Sequence, residues 1–576
     1  MDPEGLGDLT KRLPEESLAR IFLAWKASSW WSKAHGLGAE WVRAAWVCKR
    51  WRDVALKTPT LWSLVLLAGG PGGIQALEVQ LDRARGTPLD LLVLSREMSV
   101  QSVKAALGLV LRNKKRVKYL KVVFDIKQGA IVEAFVKGVR TKLVSLSLRS
   151  NADPAPDDGL EFTPANFRCL TKLDLKAIIP VQVQGAPMLK LTKLTLKYPV
   201  EYNTPEPEEP WRRVHSFLEA CPNLKTLKVT FDFGLPVDPG RPQLPYDDLR
   251  AVTLPKLRHL ALNSSALDMS TVLGTLRLPA LSSVELTAYC GSNPEDCDFF
   301  VIPQNISGVL PPLRRATCVT LTVDEDLCLS GDSEDSWWSV TLPDLEWTTE
   351  RYRGSPCCLW YNAARFLARI PLLVDPAVLV DLELHLANGL PIARDWARFF
   401  GGMVRLRSLE IGGVMLIRNV LEAFELAADS GLGLCPELED VALCFGNAKN
   451  LDGADAGGAP LSEFVPRTIE AWVRGRARSL ETLTILTRDG AGADDSDSSS
   501  AEDEDSVLPC DEGSAGGAQT TMSRLWRVLE HTLQPGGSVD EVVWMDKYCG
   551  ACDRVYESVD ADEIGDEELE EGTSYY

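Results

Sequence analysis

The sequence lacks any long apolar run. A helix that spans a bilayer needs about 20 mostly apolar residues, and the stretch Leu61–Ala68 is among the longest apolar runs in the chain of 576 residues. The segment Met1–Gly5 begins acidic and does not show the basic and then apolar layout of a secretory signal. We therefore expect no membrane partner and an intracellular protein, located in the cytoplasm, the nucleus or both.

The sequence also lacks an excess of basic residues. Its 61 Lys and Arg residues face 81 Asp and Glu residues, which gives a formal net charge of −20. Most of this charge lies in residues 494–512, with nine acids and no base, and in residues 553–571, with ten acids and one base. The rest of the chain is nearly neutral, whereas a nucleic-acid binder needs a strong basic excess on its folded part. We therefore expect no nucleic-acid partner.

Histidine is scarce, and the common catalytic motifs are missing. The five histidines are dispersed, and the sequence contains no P-loop, no H-E-x-x-H and no G-x-S-x-G. Cys549 and Cys552 form a single C-x-x-C pair without the further ligands of a zinc site. The fourteen cysteines show no framework spacing, which indicates reduced thiols. The sequence predicts no enzymatic activity, no cofactor and no metal site; the alternative is a catalytic cluster that only folding assembles and that has no sequence motif.

A short pattern, apolar-x-x-apolar-x-apolar, recurs along most of the chain. Its last two apolar residues lie two apart, so both point to one side of a short strand while polar residues point to the other. Weaker copies are centred on Leu92, Leu120, Val319 and Leu345. The ten clearer copies begin at Leu143, Leu170, Leu191, Leu224, Leu257, Leu281, Leu379, Leu406, Leu438 and Leu480.

Between these copies the apolar spacing is helical, as at Val103, Leu107 and Val110. One strand and one helix cannot bury their own apolar faces, so neighbouring units must stack. The pattern resembles that of leucine-rich repeats. The resemblance implies an α/β fold in which residues 67–486 form a curved solenoid with a parallel sheet on its concave face. The alternative is chance recurrence in a Leu-rich α/β protein.

Residues 10–66 do not repeat and are rich in Trp. Pro14 can open a helix, because its missing N–H costs nothing at that position. A stripe of apolar residues follows at helical spacing, from Leu18 to Trp25. Trp41, Ala45 and Cys48 give a second stripe of the same kind. The spacing predicts a small helical domain.

The order L-P-E-x(5)-I-F, V-C-K-R-W-R-D-V-A and T-P-x-L-W resembles an F-box, the Skp1-binding module of SCF ubiquitin ligases, and is similar to the F-box-like domains of fungal proteins. Residues 26–40 depart from it by an insertion. The alternative is a helical cap that shields the first repeat and nothing more. The resemblance implies a surface that contacts Skp1, lined or supported by Leu13, Pro14, Leu18, Ile21, Phe22, Val47, Cys48 and Trp51.

The C-terminal part changes composition. Residues 487–521 are rich in Asp, Ser, Glu, Gly and Ala, and such a segment cannot bury enough apolar surface to order itself. We expect a disordered acidic insertion there, a last helix and strand within residues 522–546, and an acidic tail over residues 547–576.

Together these resemblances imply a substrate-recognition adaptor of an SCF-type ubiquitin ligase. The F-box would bind Skp1, and through it a cullin–RING ligase, while the repeats bind an unknown protein substrate. A leucine-rich-repeat scaffold without a ligase role is the alternative. Basic residues dominate the early repeats and acids appear among the later ones. Our candidates for substrate binding are the polar positions Lys172, Lys193, Lys225, Lys228, Arg258, His259 and Arg407.

Overall fold

The computed structural model describes the larger part of the chain between Leu13 and Asn447, and two strands beyond it. All structural statements below refer to these residues. The described ranges are 13–31, 40–67, 72–95, 98–150, 162, 165–178, 180, 187–199, 209–232, 249–289, 310–323, 326–343, 367, 370–371, 373–386, 392–447, 480–488 and 539–545. The predicted acidic insertion beyond Arg488, the acidic tail, residues 32–39, the centre of the repeat copy at Leu345, the last predicted helix and the Cys549–Cys552 pair lie outside them. Residues 487 and 488, predicted as the start of the insertion, are instead the end of a strand.

The described chain begins with short helices. They are α1 (Glu15–Trp31), α2 (Ala44–Val47) and α3 (Lys49–Lys57), with 3-10 turns at Glu40–Arg43 and Pro59–Ser63. As predicted, α1 begins immediately after Pro14.

The stripe of Trp41, Ala45 and Cys48 does not form one helix. The backbone of Cys48 is extended, with φ −155° and ψ 169°, and its Sγ accepts a hydrogen bond from the amide of Trp51 at 3.5 Å. This cap starts α3 as a separate helix and turns the chain between α2 and α3.

Nineteen strands and eight further helices follow in the described residues. The strands are β1 (Leu64–Leu67), β2 (Leu89–Leu94), β3 (Val117–Phe124), β4 (Ser145–Ser150), β5 (Lys172–Lys176), β6 (Lys193–Pro199), β7 (Thr226–Asp232), β8 (Val252–Thr253), β9 (His259–Ser265), β10 (Leu276–Arg277), β11 (Ser283–Tyr289), β12 (Cys318–Val323), β13 (Asp326–Ser333), β14 (Ser336–Pro343), β15 (Asp381–Leu386), β16 (Ser408–Gly412), β17 (Asp440–Asn447), β18 (Leu480–Arg488) and β19 (Val539–Met545). The helices are α4 (Gly73–Arg83), α5 (Val100–Arg112), α6 (Gly129–Val139), α7 (Glu209–Glu219), α8 (Ala266–Gly274), α9 (Pro311–Arg315), α10 (Ala393–Phe400) and α11 (Val414–Asp429).

Seventeen of the strands form one long open sheet, and β8 and β10 form a separate parallel pair. From β1 to β7 each strand pairs in parallel with the next one in the chain, and β7 then pairs with β9 and β9 with β11. From β15 to β19 the same serial parallel pairing resumes. The mixed α/β class and a mostly parallel sheet are therefore confirmed.

The sheet is not parallel throughout, which corrects the expectation of a uniform parallel array. Strand β11 pairs with β14, and β14, β13 and β12 form an antiparallel meander whose order in the sheet is reversed. Strand β12 then pairs in parallel with β15. The repeat pattern does not predict β13 and β14, because neither strand follows the pattern. The meander therefore adds two strands to the sheet.

The core lies on one side of this sheet. In β5, Leu173 and Leu175 are buried, while Lys172, Asp174 and Lys176 point to the other side and are half-buried or exposed. The leading leucine of each copy is buried as well, as at Leu170. Strand leucines and helix residues such as Val103 and Leu107 of α5 belong to one continuous core. We call the opposite side of the sheet the open face.

One weak copy of the pattern is shifted by a residue. The buried residues of β2 are Leu89, Leu91 and Val93, and Leu92 lies on the open face. Five of the six residues of β2 are apolar, so its sequence alone could not indicate which set faces the core.

Candidate partner-binding surfaces

Three apolar side chains of the N-terminal helices are exposed. The exposed fraction is 47% for Ile21 on α1, 72% for Trp46 and 60% for Val47, both on α2. Helices α1 and α2 both pack against α3. Scattered apolar residues are normal on protein surfaces, but a tryptophan this exposed on a short, fixed helix is costly to leave in water. We call Ile21, Trp46 and Val47 the apolar patch.

Some of the residues expected to contact Skp1 are exposed, and others are buried. Pro14, Ile21 and Val47 are exposed, and Leu13, Cys48 and Trp51 are half-buried. Leu18 and Phe22 are completely buried, and the ring of Phe22 lies 5.1 Å from that of Trp51. Leu18 and Phe22 can therefore support a binding surface but cannot touch a partner. The eight residues that divide in this way are Leu13, Pro14, Leu18, Ile21, Phe22, Val47, Cys48 and Trp51.

Trp46 was missed as a candidate. The helical stripe drawn through Trp41, Ala45 and Cys48 placed Trp46 beside the core face of a longer helix. The break at Cys48 limits α2 to four residues, of which Ala44 and Ala45 are buried and Trp46 and Val47 are not. The V-C-K-R-W segment itself was the signal for this break, because Cys48 can cap the helix that follows.

Hydrogen bonds to backbone oxygens hold the N-terminal helices in place. Arg50 donates to the carbonyl of Leu13, and the Nε of Arg52 donates to the carbonyl of Ala45 at 2.9 Å. The buried indole of Trp62 donates to the carbonyl of Ala55 at 2.9 Å. The apolar patch is thus presented by a fixed arrangement.

Side-chain contacts also join these helices and the turn after them to the beginning of the sheet. The guanidinium of Arg83 on α4 lies 4.3 Å above the ring of Trp62. Lys26 on α1 donates to the carbonyl of Thr60 at 2.8 Å and to the hydroxyl of Ser63 at 3.0 Å. Burial lowers the pKa of Lys26, against the opposing effect of the Asp90 carboxylate. The N-terminal helices therefore pack against the turn Pro59–Ser63 that leads into β1, and they share one core with the sheet.

The open face brings most of the predicted substrate residues together. Lys172 and Lys193 are direct register partners on β5 and β6, and Lys228 on β7 lies two residues beyond Thr226, the register partner of Lys193. Lys225 and Arg258 immediately precede β7 and β9, and His259 is the first residue of β9. Arg407 is separate: it precedes β16, five strands beyond β11, and lies 4.0 Å from Glu437.

Four further cations lie on the open face of β3–β7 and were missed. They occupy alternate strand positions outside the six-residue pattern or in its weak copies, so the strand period of two could have found them. One carboxylate, Asp174, lies among them; it accepts a hydrogen bond from Ser147 at 2.7 Å and lies 3.6 Å from the Arg149 guanidinium. We call the seven cations of β3–β7 the basic patch: Lys121, Arg149, Lys172, Lys176, Lys193, Lys197 and Lys228.

Carboxylates collect on the open face of the other half of the sheet. Thr320 donates to Glu383 at 2.9 Å, and His385 lies 3.7 Å from Glu410. Burial raises the pKa of Asp381, and so does repulsion from three neighbouring carboxylates. The charge polarity expected from the sequence is therefore present on one continuous surface. We call these carboxylates the acidic patch: Asp332, Asp381, Glu383, Glu410 and Asp440.

Within the described part of the chain, no group of His, Cys, Asp and Glu side chains could hold a metal ion. A search of the same residues finds no helix with the length and apolar character needed to cross a membrane. Comparison with known proteins gives no match to a family model and no match to a curated protein. Function must therefore be argued from these surfaces.

Proposed function

We propose that this chain is a substrate-recognition adaptor of an SCF-type ubiquitin ligase, with no catalytic chemistry of its own. Its N-terminal helices would form an F-box that binds Skp1, and through it a cullin–RING ligase. The sheet and its helices would be a leucine-rich-repeat solenoid that binds a protein substrate on the open face. The adaptor would act in the cytoplasm, the nucleus or both, by raising the effective concentration of a substrate lysine near the ubiquitin-charged enzyme.

The apolar patch carries this proposal. In the helical segment that resembles an F-box, Phe22 and Trp62 are buried and Trp51 is half-buried, while Trp46 is 72% exposed. Interfaces concentrate their binding energy in a few aromatic anchors of this kind. The resemblance supplies the partner, and the exposure of Trp46 and Val47 supplies the surface.

A scaffold without a ligase role is the second candidate, and one observation favours it. The N-terminal helices share a continuous core with the sheet and pack beside the start of β1, which is where a solenoid cap would lie. A cap accounts for Leu18 and Phe22, which are buried. It does not account for Trp46, which shields nothing.

The test is binding of purified Skp1 to the full chain, because the N-terminal helices share their core with the sheet and need it. The double variant Trp46→Ala/Val47→Ala should bind Skp1 at least about 30-fold more weakly, since loss of a hot spot costs roughly 2 kcal/mol or more. Its thermal midpoint should stay unchanged because both side chains are exposed. The matched control Val404→Ala/Leu432→Ala removes apolar side chains that are 49% and 64% exposed elsewhere, and it should bind normally. Absence of Skp1 binding by the intact chain would falsify the adaptor function.

A further inference from the structure

The basic patch is unusual because like charges face each other across strands. Lys172 pairs in register with Lys193, and Arg149, Lys176 and Lys197 occupy one row across three adjacent strands. Neighbouring strands lie about 4.8 Å apart, and like charges at directly opposite positions destabilise a sheet. The Lys172–Lys193 pair therefore opposes folding stability, and a packing role does not explain it.

Their charge is incompletely balanced within the protein. Among the residues that the structure describes, no carboxylate lies within ion-pair distance of Lys172, Lys193 or Lys197. Asp174 on β5 is already engaged by Arg149 and Ser147, and the register places a second acid, Asp232, at the end of β7 opposite Pro199. The patch therefore carries a net positive charge in a chain whose overall charge is −20.

We propose that the basic patch binds an extended peptide segment rich in Asp and Glu. The patch spans five strands, about 19 Å at the usual strand spacing, which is enough to meet several carboxylates along such a segment. The inference relies on the proposed function only in identifying this segment as part of the substrate.

The patch offers nucleic acid charge but few other contacts. Six of the seven cations are lysines, which bind anions as point charges without the bidentate geometry of arginine. At the open-face positions of β3–β7 the described strands carry one aromatic side chain, Tyr119 on β3, whereas proteins that bind single-stranded nucleic acid stack successive bases on several aromatic rings.

The test measures fluorescence anisotropy of a fluorescein-labelled peptide of six Glu alternating with Ser, added to the full chain without Skp1. The triple variant Lys172→Gln/Lys193→Gln/Lys197→Gln should bind it at least tenfold more weakly. Its thermal midpoint should not fall, because the substitutions relieve repulsion. The control Lys104→Gln/Lys114→Gln/Lys115→Gln makes the same charge change at exposed lysines on α5 and the turn after it, and it should bind normally.

A variant with the opposite effect completes the design. Asp174→Asn removes the carboxylate at the centre of the patch while keeping an acceptor for Ser147, so it should tighten binding two- to threefold. A peptide with Gln in place of Glu should not bind.

Three results would overturn the proposal: no binding of the Glu peptide, equal losses in both triple variants, or tighter binding of a ten-nucleotide oligothymidylate that the patch variant abolishes. Each can occur whether or not Skp1 binds, so failure here and failure of the adaptor function are separate outcomes.

Discussion

Gly331 offers a sharp test of the reversed meander. It lies opposite Trp338 in the antiparallel pair of β13 and β14. A Cβ atom at Gly331 would lie 2.6 Å from Cζ2, 2.7 Å from Cε2 and 2.8 Å from Nε1 of the Trp338 ring. Carbon atoms in good contact stand about 3.5–4.0 Å apart. Because Trp338 is completely buried, its ring cannot move into solvent to make room.

We therefore expect Gly331→Ala to destabilise the meander by about 1–3 kcal/mol, the usual cost of overpacking a core. A long repeat-like array need not unfold in two states, so the readout should be local. Hydrogen exchange followed by mass spectrometry on peptides within residues 318–343 should show exchange faster by roughly fivefold to more than a hundredfold.

Two further variants identify the cause. Gly108→Ala changes a glycine inside α5 with no atom within 4 Å of the added methyl; it should stabilise its helix by about 0.5–1 kcal/mol. Trp338→Leu should remove part of the cost of Gly331→Ala in a double-mutant cycle. Unchanged exchange in Gly331→Ala would refute the packing of Trp338 on this glycine and, with it, the register of β13 and β14.

Three other predictions concern the core and the charged face. Leu260→Ala, at a buried position of β9, should cost about 2–5 kcal/mol; a loss below 0.5 kcal/mol in urea unfolding, roughly that of a surface change, would contradict the assigned core. Burial raises the pKa of Cys221 to about 12, so peptide mapping should find this thiol unmodified by iodoacetamide at pH 8 in the folded chain, and rapid labelling there would contradict its burial. The pKa of Asp381 is raised by burial and by neighbouring carboxylates, so its contribution to stability is full below the unfolded value of about 3.9 and is lost as pH rises through the folded value. Asp381→Asn should therefore raise the thermal midpoint at pH 7, by an amount equivalent to less than about 1 kcal/mol because solvent screens these charges, and the gain should shrink as pH falls towards 4; a gain that is constant with pH would rule out titration of this group as its source.

The strands that pair in chain order could be predicted, because each needs the same set of buried apolar residues and the sequence repeats that set. Each copy such as Leu170–Leu175 supplies a buried leading leucine and two buried strand leucines, and the structure buries all three. The meander could not be predicted in this way. Strand β13 reads Asp326–Ser333, with few apolar residues, and its antiparallel pairing depends on β12 and β14 rather than on its own pattern.

The surfaces were predicted less completely than the strands. The pattern identified Lys172 and Lys193, but Lys176 and Lys197 lie after the last leucine of each copy, and only the strand length places them on the same face. Trp46 was missed because its exposure depends on the extended backbone of Cys48. Both features arise where an element ends, which is the part of an element that sequence periodicity determines least.

The reversed meander also affects the order in which the protein can assemble during synthesis. In the long sheet, each strand from β2 to β11 that emerges from the ribosome finds its partner already made, as when Val284 of β11 joins Leu260 of β9. The other neighbour of Val284 is Trp338, so β12 and β13 are translated before the strand that must come between them and β11. Loop closure over this longer segment costs more entropy and slows pairing. We expect the nascent chain to fold strand by strand to β11 and then to wait, with that edge unpaired, until β14 has been made.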